Sequence, residues 1–249
     1  MPAVFVHGVP ERAAIWDDLR EHLRRDDHIA VALPGFGTPV PGGFDCTMDE
    51  YAAWLTAGVE SLAAAKGPVD LVGHDWGGLL TLRVASTRPD LVRSWCSDAA
   101  GMFDPGASWN AAARILQTEG AGEEFMAGME AASQADREEA VVPLGVPADR
   151  AHLCSLGDPV MHGAILRLYR SATAITTEWG PAVDRAADSR GLVLHGEHDP
   201  FQRERSCTRV ATRVQARHDV LDGLGHWWLL QDPKGVAARL ERFWSEVGW

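Results

Sequence analysis

The chain has 249 residues, 46% of them apolar and 23% charged, enough for one large α/β domain with a substantial core. Its formal charge of −12 argues against nucleic acid or an anionic membrane as partner, since both attract basic patches. No apolar run reaches the roughly 18 to 20 residues of a membrane span, and the N-terminus lacks the basic and apolar regions of a signal peptide. Cys46, Cys96, Cys154 and Cys207 are scattered, so free thiols and a cytoplasmic setting are expected.

Residues 3–6 form a short apolar run that stops at His7-Gly8 and predict a buried strand. A helix over 11–25 and a second strand over 28–33 follow, the latter ended by Pro34-Gly35-Phe36-Gly37. Thr47 and Glu50 form a capping box for a helix that runs to about residue 65. A third strand spans 69–73, a helix 77–87 and a fourth strand 91–97. From 101 to 187 the strand rhythm lapses into helical patterns, of which 160–176 is the clearest. Alternation returns with a strand at 191–195, a helix at 203–214, a strand at 217–221 and a last helix at 233–247.

Such alternation implies a mainly parallel sheet of about six strands with helices on both faces. The expected organisation is a core of residues 1–100 and 188–249, with residues 101–187 inserted as a helical cap. An insertion at the C-terminal edge of a parallel sheet lies over the crevice where ligands bind.

Chemistry concentrates at Gly73-His74-Asp75-Trp76-Gly77-Gly78. The pattern Gly-x-nucleophile-x-Gly marks a sharp turn between strand and helix that exposes one side chain. Serine is usual there, whereas this chain has Asp75. A carboxylate suits an sp3 carbon bearing a leaving group, and its product is an alkyl ester of the protein. Hydrolysing that ester needs a base, an orienting acid and oxyanion donors. His226, after the sixth strand, fits the base, and Asp199, after the fifth, fits the orienter. Glu197 and Asp98 are alternative orienters. The N–H groups of Val9 and Trp76 are candidate oxyanion donors. His195, Glu197, His198 and Asp199 lie together but diverge along a turn and lack metal-ligand spacing, so no metal and no cofactor are expected.

With His7-Gly8-Val9-Pro10, Gly35-Phe36-Gly37, the Asp75 elbow, His195-Gly196-Glu197-His198-Asp199-Pro200 and Gly225-His226-Trp227 in hand, the chain resembles the α/β-hydrolase superfamily. Within it, the likeness is to the branch of epoxide hydrolases and haloalkane dehalogenases with an aspartate nucleophile. The resemblance implies a small substrate with an electrophilic carbon, apolar in character. Its epoxide hydrolases use cap tyrosines as acids. Tyr169, in Leu166-Arg167-Leu168-Tyr169-Arg170, resembles such a position; the usual second tyrosine is absent, leaving His152, His162, Trp109 or Trp179 as replacements. Its dehalogenases hold the halide between two donors, for which Trp76 and Trp109 are candidates because Val9 stands where Asn is common. His7, Pro10, His74, Trp109, Trp179 and Trp227 are expected around the pocket. Epoxide opening is the favoured expectation, dehalogenation the alternative and a silent ligand-binding protein a third. Oligomeric state is not legible.

Overall fold

The computed structural model describes residues 1–155 and 157–247. Among the described residues, six strands form one sheet: β1 (Ala3–Val6), β2 (His28–Val31), β3 (Val69–Gly73), β4 (Val92–Ser97), β5 (Arg190–Gly196) and β6 (Arg217–Leu221). They run parallel in the order β2-β1-β3-β4-β5-β6. This is the parallel sheet of about six strands that the alternation predicts, in the arrangement that the resemblance to α/β-hydrolases implies.

Side chains alternate between the faces of a strand, and the core divides accordingly. Val4, Val6, Leu71 and Trp95 enter one apolar cluster together with Leu55, Leu79 and Val210. Ala3, Phe5, Val72 and Cys96 enter the other with Trp16, Trp228 and Leu240. Helices α2 (Met48–Lys66), α3 (Trp76–Thr87) and α9 (Glu204–Arg213) supply the first cluster; α1 (Asp17–Glu21), α10 (Trp228–Gln231) and α11 (Pro233–Val247) supply residues around the second. Between β4 and β5 lie α4 (Ala111–Gln117), α5 (Ala121–Ala131), α6 (Gln134–Val141), α7 (Pro159–Ser171) and α8 (Ile175–Glu178). No helix among the described residues is long and apolar enough to cross a membrane. All four cysteines are buried free thiols.

Three local expectations need correction. The helix expected over 11–25 is a 3-10 turn at Ala13–Trp16 and then the five-residue α1. Arg25 is drawn away to a buried carboxylate, its Nη1 2.8 Å from Asp70, ahead of the start of β2 at His28. Thr47 does cap α2 by accepting the Glu50 N–H, but the Glu50 carboxylate turns to the Asp45 N–H instead of closing the box. The helix expected over 160–176 breaks after Ser171 and resumes as α8. At the break the Ala172 carbonyl accepts the Trp109 indole N–H at 2.9 Å.

Candidate active site

The elbow follows directly from two missing side chains. A Cβ on Gly73 would stand 2.1 Å from the Gly77 carbonyl oxygen, and one on Gly77 would stand 2.0 Å from that of Val6. Strand β3 can therefore turn into α3 only where both residues are glycine. Between them Asp75 adopts φ 51° and ψ −121°, a conformation that costs a non-glycine residue about 1–3 kcal/mol. The turn leaves the Asp75 side chain 21% exposed at the C-terminal end of the sheet.

Three other loops converge on it. The Val9 N–H, from the loop after β1, donates to Asp75 Oδ1 at 3.0 Å. From the loop after β6, His226 places Nε2 3.9 Å from Asp75 Oδ2. Its Nδ1 lies 2.9 Å from Asp199 Oδ2, after β5. Asp199 Oδ1 accepts the N–H groups of Phe201 (2.7 Å) and Gln202 (3.2 Å), which fixes the carboxylate. The structure thus brings Asp75, His226, Asp199 and Val9 together. Trp76 opens α3, so its N–H is a first-turn donor with no helical acceptor.

Burial and charge set the protonation states. Burial lifts the Asp75 carboxyl to about 6, against the pull of His226, His74 and the Val9 N–H, while Glu11 adds to the rise. For His226 burial acts downward, yet the Asp199 carboxylate outweighs it and holds the imidazole above its ordinary value. Burial pushes Asp199 up, but His226 and the two N–H donors keep it below the usual carboxylate range. The arrangement pairs a mostly buried carboxylate with an imidazole whose far nitrogen is fixed on a second carboxylate. It can attack an electrophile and then activate water against the resulting ester.

Helix α7 and the loop before α4 supply the rings above Asp75. Trp76 stacks on Trp109 with centroids 5.7 Å apart, and Tyr169 meets Trp76 edge-on at 5.4 Å. Burial, then the Asp75 charge, push the Tyr169 phenol above its ordinary pKa, so it holds its proton near neutrality. The Trp76 indole N–H is buried with no acceptor within hydrogen-bond distance among the described residues, and it acts at longer range on the Tyr169 phenol, whose ionised form it favours. A cleft of about 150 Å³ opens beside this group, bordered by Trp109, Asn110, Arg114, Phe201, Gln202 and Arg203. Phe201 also packs on the His226 ring at 4.8 Å.

Other expected residues lie elsewhere. His7 is fully buried beneath the loop, with Nδ1 2.8 Å from the Gly8 carbonyl and Nε2 accepting the Leu33 N–H, so it braces the loop and lines no pocket. His74 is likewise fully buried, under the elbow. Trp179 donates to Asp49 of α2 and carries the Arg83 guanidinium over its ring, which puts it in the core. Trp227 packs edge-on against His226 and donates to Glu11, behind the base. Pro10 is half-buried after a cis Val9–Pro10 peptide. None of the four replacement acids offers a free donor at Tyr169: His162 pairs with Glu130, His152 is exposed, and the indole N–H groups of Trp109 and Trp179 are engaged. Of the alternative orienters, Glu197 accepts the Gly223 N–H, and Asp98 accepts the Asp75 N–H at 2.8 Å and does not reach His226.

The sequence profile of the Alpha/beta hydrolase family matches residues 3–239, and the chain belongs to that family of hydrolytic enzymes. The (E)-2-((N-methylformamido)methylene)succinate hydrolase of Acinetobacter baylyi is 34% identical over 93 residues, 37% of this chain and 35% of that protein. The match thus spans about a third of that relative's length. Haloalkane dehalogenase DbeA from Bradyrhizobium elkani superposes with a TM-score of 0.73 over 98% of this chain and 91% of its own, at 20% identity. A protein from Pseudomonas aeruginosa, provisionally named an epoxide hydrolase, gives 0.76 over 99% and 89% at 18% identity. At these identities the structural likeness speaks for the fold alone.

Proposed function

We propose that the chain opens an epoxide on a small, largely apolar molecule through a covalent ester on Asp75. The observation that carries this reading is a carboxylate at the strained elbow position, with the His226–Asp199 pair behind it. In the first step an Asp75 oxygen bonds to an epoxide carbon, the ring C–O bond breaks, and Tyr169 gives its proton to the departing oxygen. Water then passes a proton to His226 while its oxygen attacks the ester carbonyl, and the N–H groups of Val9 and Trp76 hold the oxyanion. The acyl C–O bond breaks, His226 returns the proton to the leaving alkoxide, and the proton on the new carboxyl restores Tyr169. Residues 101–187 act as a cap on the core of 1–100 and 188–249, since they contribute Tyr169 and Trp109.

A second reading is supported by the unpartnered Trp76 indole N–H, a buried donor suited to a departing halide. It is the weaker because Val9 has no side-chain donor and Trp109 spends its own on Ala172. Bromide release from haloalkanes, with no diol from epoxides, would select it.

One experiment tests the common core. A single turnover in 18O water, followed by mass spectrometry of the Asp75 peptide, should find label in Asp75, and His226→Gln should accumulate the substrate-sized adduct there. Label in the product alone, with Asp75 unlabelled, would rule out the ester.

A further inference from the structure

Under the elbow lies a buried group that no step of the proposed reaction consumes. The fully buried His74 ring sits with Nδ1 2.5 Å from Asp98 Oδ2 and Nε2 3.1 Å from Glu11 Oε1. A neutral imidazole has one N–H and one lone pair, and a lone pair facing a carboxylate oxygen is repulsive. The other neighbours of both carboxyls are donors only. Glu11 accepts the Gly8 N–H (2.9 Å) and the Trp227 indole N–H (2.9 Å). Asp98 accepts the Asp75 N–H (2.8 Å) and the Trp228 indole N–H (2.8 Å). Both nitrogens of His74 therefore carry bridging protons.

We propose that His74 is a permanently charged imidazolium, and that the Glu11–His74–Asp98 ion triplet is the positioning element that locks the active-site loops into one frame. Its bonds reach the Val9 loop through Gly8, the elbow through the Asp75 N–H, and the His226 loop through Trp227 and Trp228. Breaking one member leaves buried charge unpaired, which makes the frame cooperative.

The triplet also biases the reacting pair. Burial would strip the proton from His74, but Glu11 and Asp98 outweigh it and hold the ring well above its ordinary pKa. The titratable groups facing it are Glu11, Asp98, Asp75, His226 and His7; Trp16 and Trp228 turn neutral ring edges to it. The His226 ring is 4.6 Å away, centroid to centroid. A fixed cation here favours an ionised Asp75 and an unprotonated His226, the resting states that attack and water activation need.

The first arm of the test needs no activity. In 15N NMR of the wild-type protein, both ring nitrogens of His74 should stay protonated from about pH 5 to about pH 9. A titration, or an unprotonated nitrogen at His74 in that range, overturns the proposal. The second arm rests on Asp75 as nucleophile. Glu11→Gln keeps the side-chain shape and one acceptor oxygen, gives up the other acceptor and removes one negative charge, while Asp98 alone keeps His74 charged. Its acid limb for ester formation should move about one unit lower, with KM little changed. A merely structural role would lower Tm and leave the limb in place, and an unmoved limb overturns the positioning claim. If Asp75 never carries an adduct, the functional reading fails while the NMR arm still decides the triplet.

Discussion

Gly8→Ala isolates one contact at the proposed nucleophile. Gly8 lies outside the left-handed region of backbone conformation, so alanine meets no backbone penalty there. Its Cβ would stand 2.4 Å from Asp75 Cβ and 2.6 Å from Oδ1. Ordinary carbon contacts begin at roughly 3.5 Å, so the two loops must part by about 1 Å. Overpacking of this kind costs about 1–3 kcal/mol, or roughly 2–12 °C in Tm for a chain of this size. A displacement of about 1 Å at the reacting group costs about a hundredfold in rate. The three atoms nearest to the new methyl all belong to Asp75. Gly8→Ala should therefore lower kcat and Tm in the wild-type background, yet barely change Tm in an Asp75→Gly background. Calorimetry on the four proteins of that cycle, with single-turnover kinetics on the two that keep Asp75, measures both effects. Equal Tm losses in the two backgrounds, or full activity in Gly8→Ala, would refute the reasoning.

Other outcomes follow from the same geometry. A carboxyl raised from 3.8 to about 6 binds its proton more tightly when folded, so stability falls as pH rises between those values. Asp75→Asn should then abolish turnover and raise neutral-pH stability by up to about 3 kcal/mol in urea titrations, a gain that vanishes below about pH 4. Ester formation by the wild type should rise through about pH 6, and ester hydrolysis should need a higher pH because His226 is held above 6.5. Asp199→Asn should form the ester but hydrolyse it about 10²–10⁴-fold more slowly, with the adduct visible by mass spectrometry. Tyr169→Phe should slow epoxide opening roughly a hundredfold while sparing any haloalkane turnover; an unchanged epoxide rate would remove Tyr169 from the mechanism.

The parallel sheet was legible because its strands are short apolar runs bounded by Gly and Pro, and those signals are local. The elbow was legible for the same reason: Gly73 and Gly77 are forced by backbone contact, and their spacing is visible in one line of sequence. Asp199 and His226 could be placed because each ends a recognisable strand. The triplet was not legible. Glu11 and His74 lie 63 residues apart, His74 and Asp98 24 apart, and each reads alone as an ordinary loop or strand-end polar residue. Glu11 carries no signal of its own in the sequence beyond its place directly after His7-Gly8-Val9-Pro10. Trp179 and His7 were assigned to the pocket on chemistry alone. Which way an indole or imidazole points depends on Asp49, Leu33 and other distant partners. The break after Ser171 was hidden because its cause is a tryptophan 63 residues upstream.

The place of β1 inside the sheet, paired with β2 on one side and β3 on the other, bears on how the molecule is made. During synthesis the Val9 loop and the Asp75 elbow can register against each other once β3 and α3 have left the ribosome. His226 is about 150 residues further along the chain. At about 5–20 residues per second, the nascent protein spends roughly 8–30 s with Asp75 made and His226 still unmade. On the proposed mechanism, an electrophile captured by Asp75 in that interval would stay attached until β6 and His226 had been made.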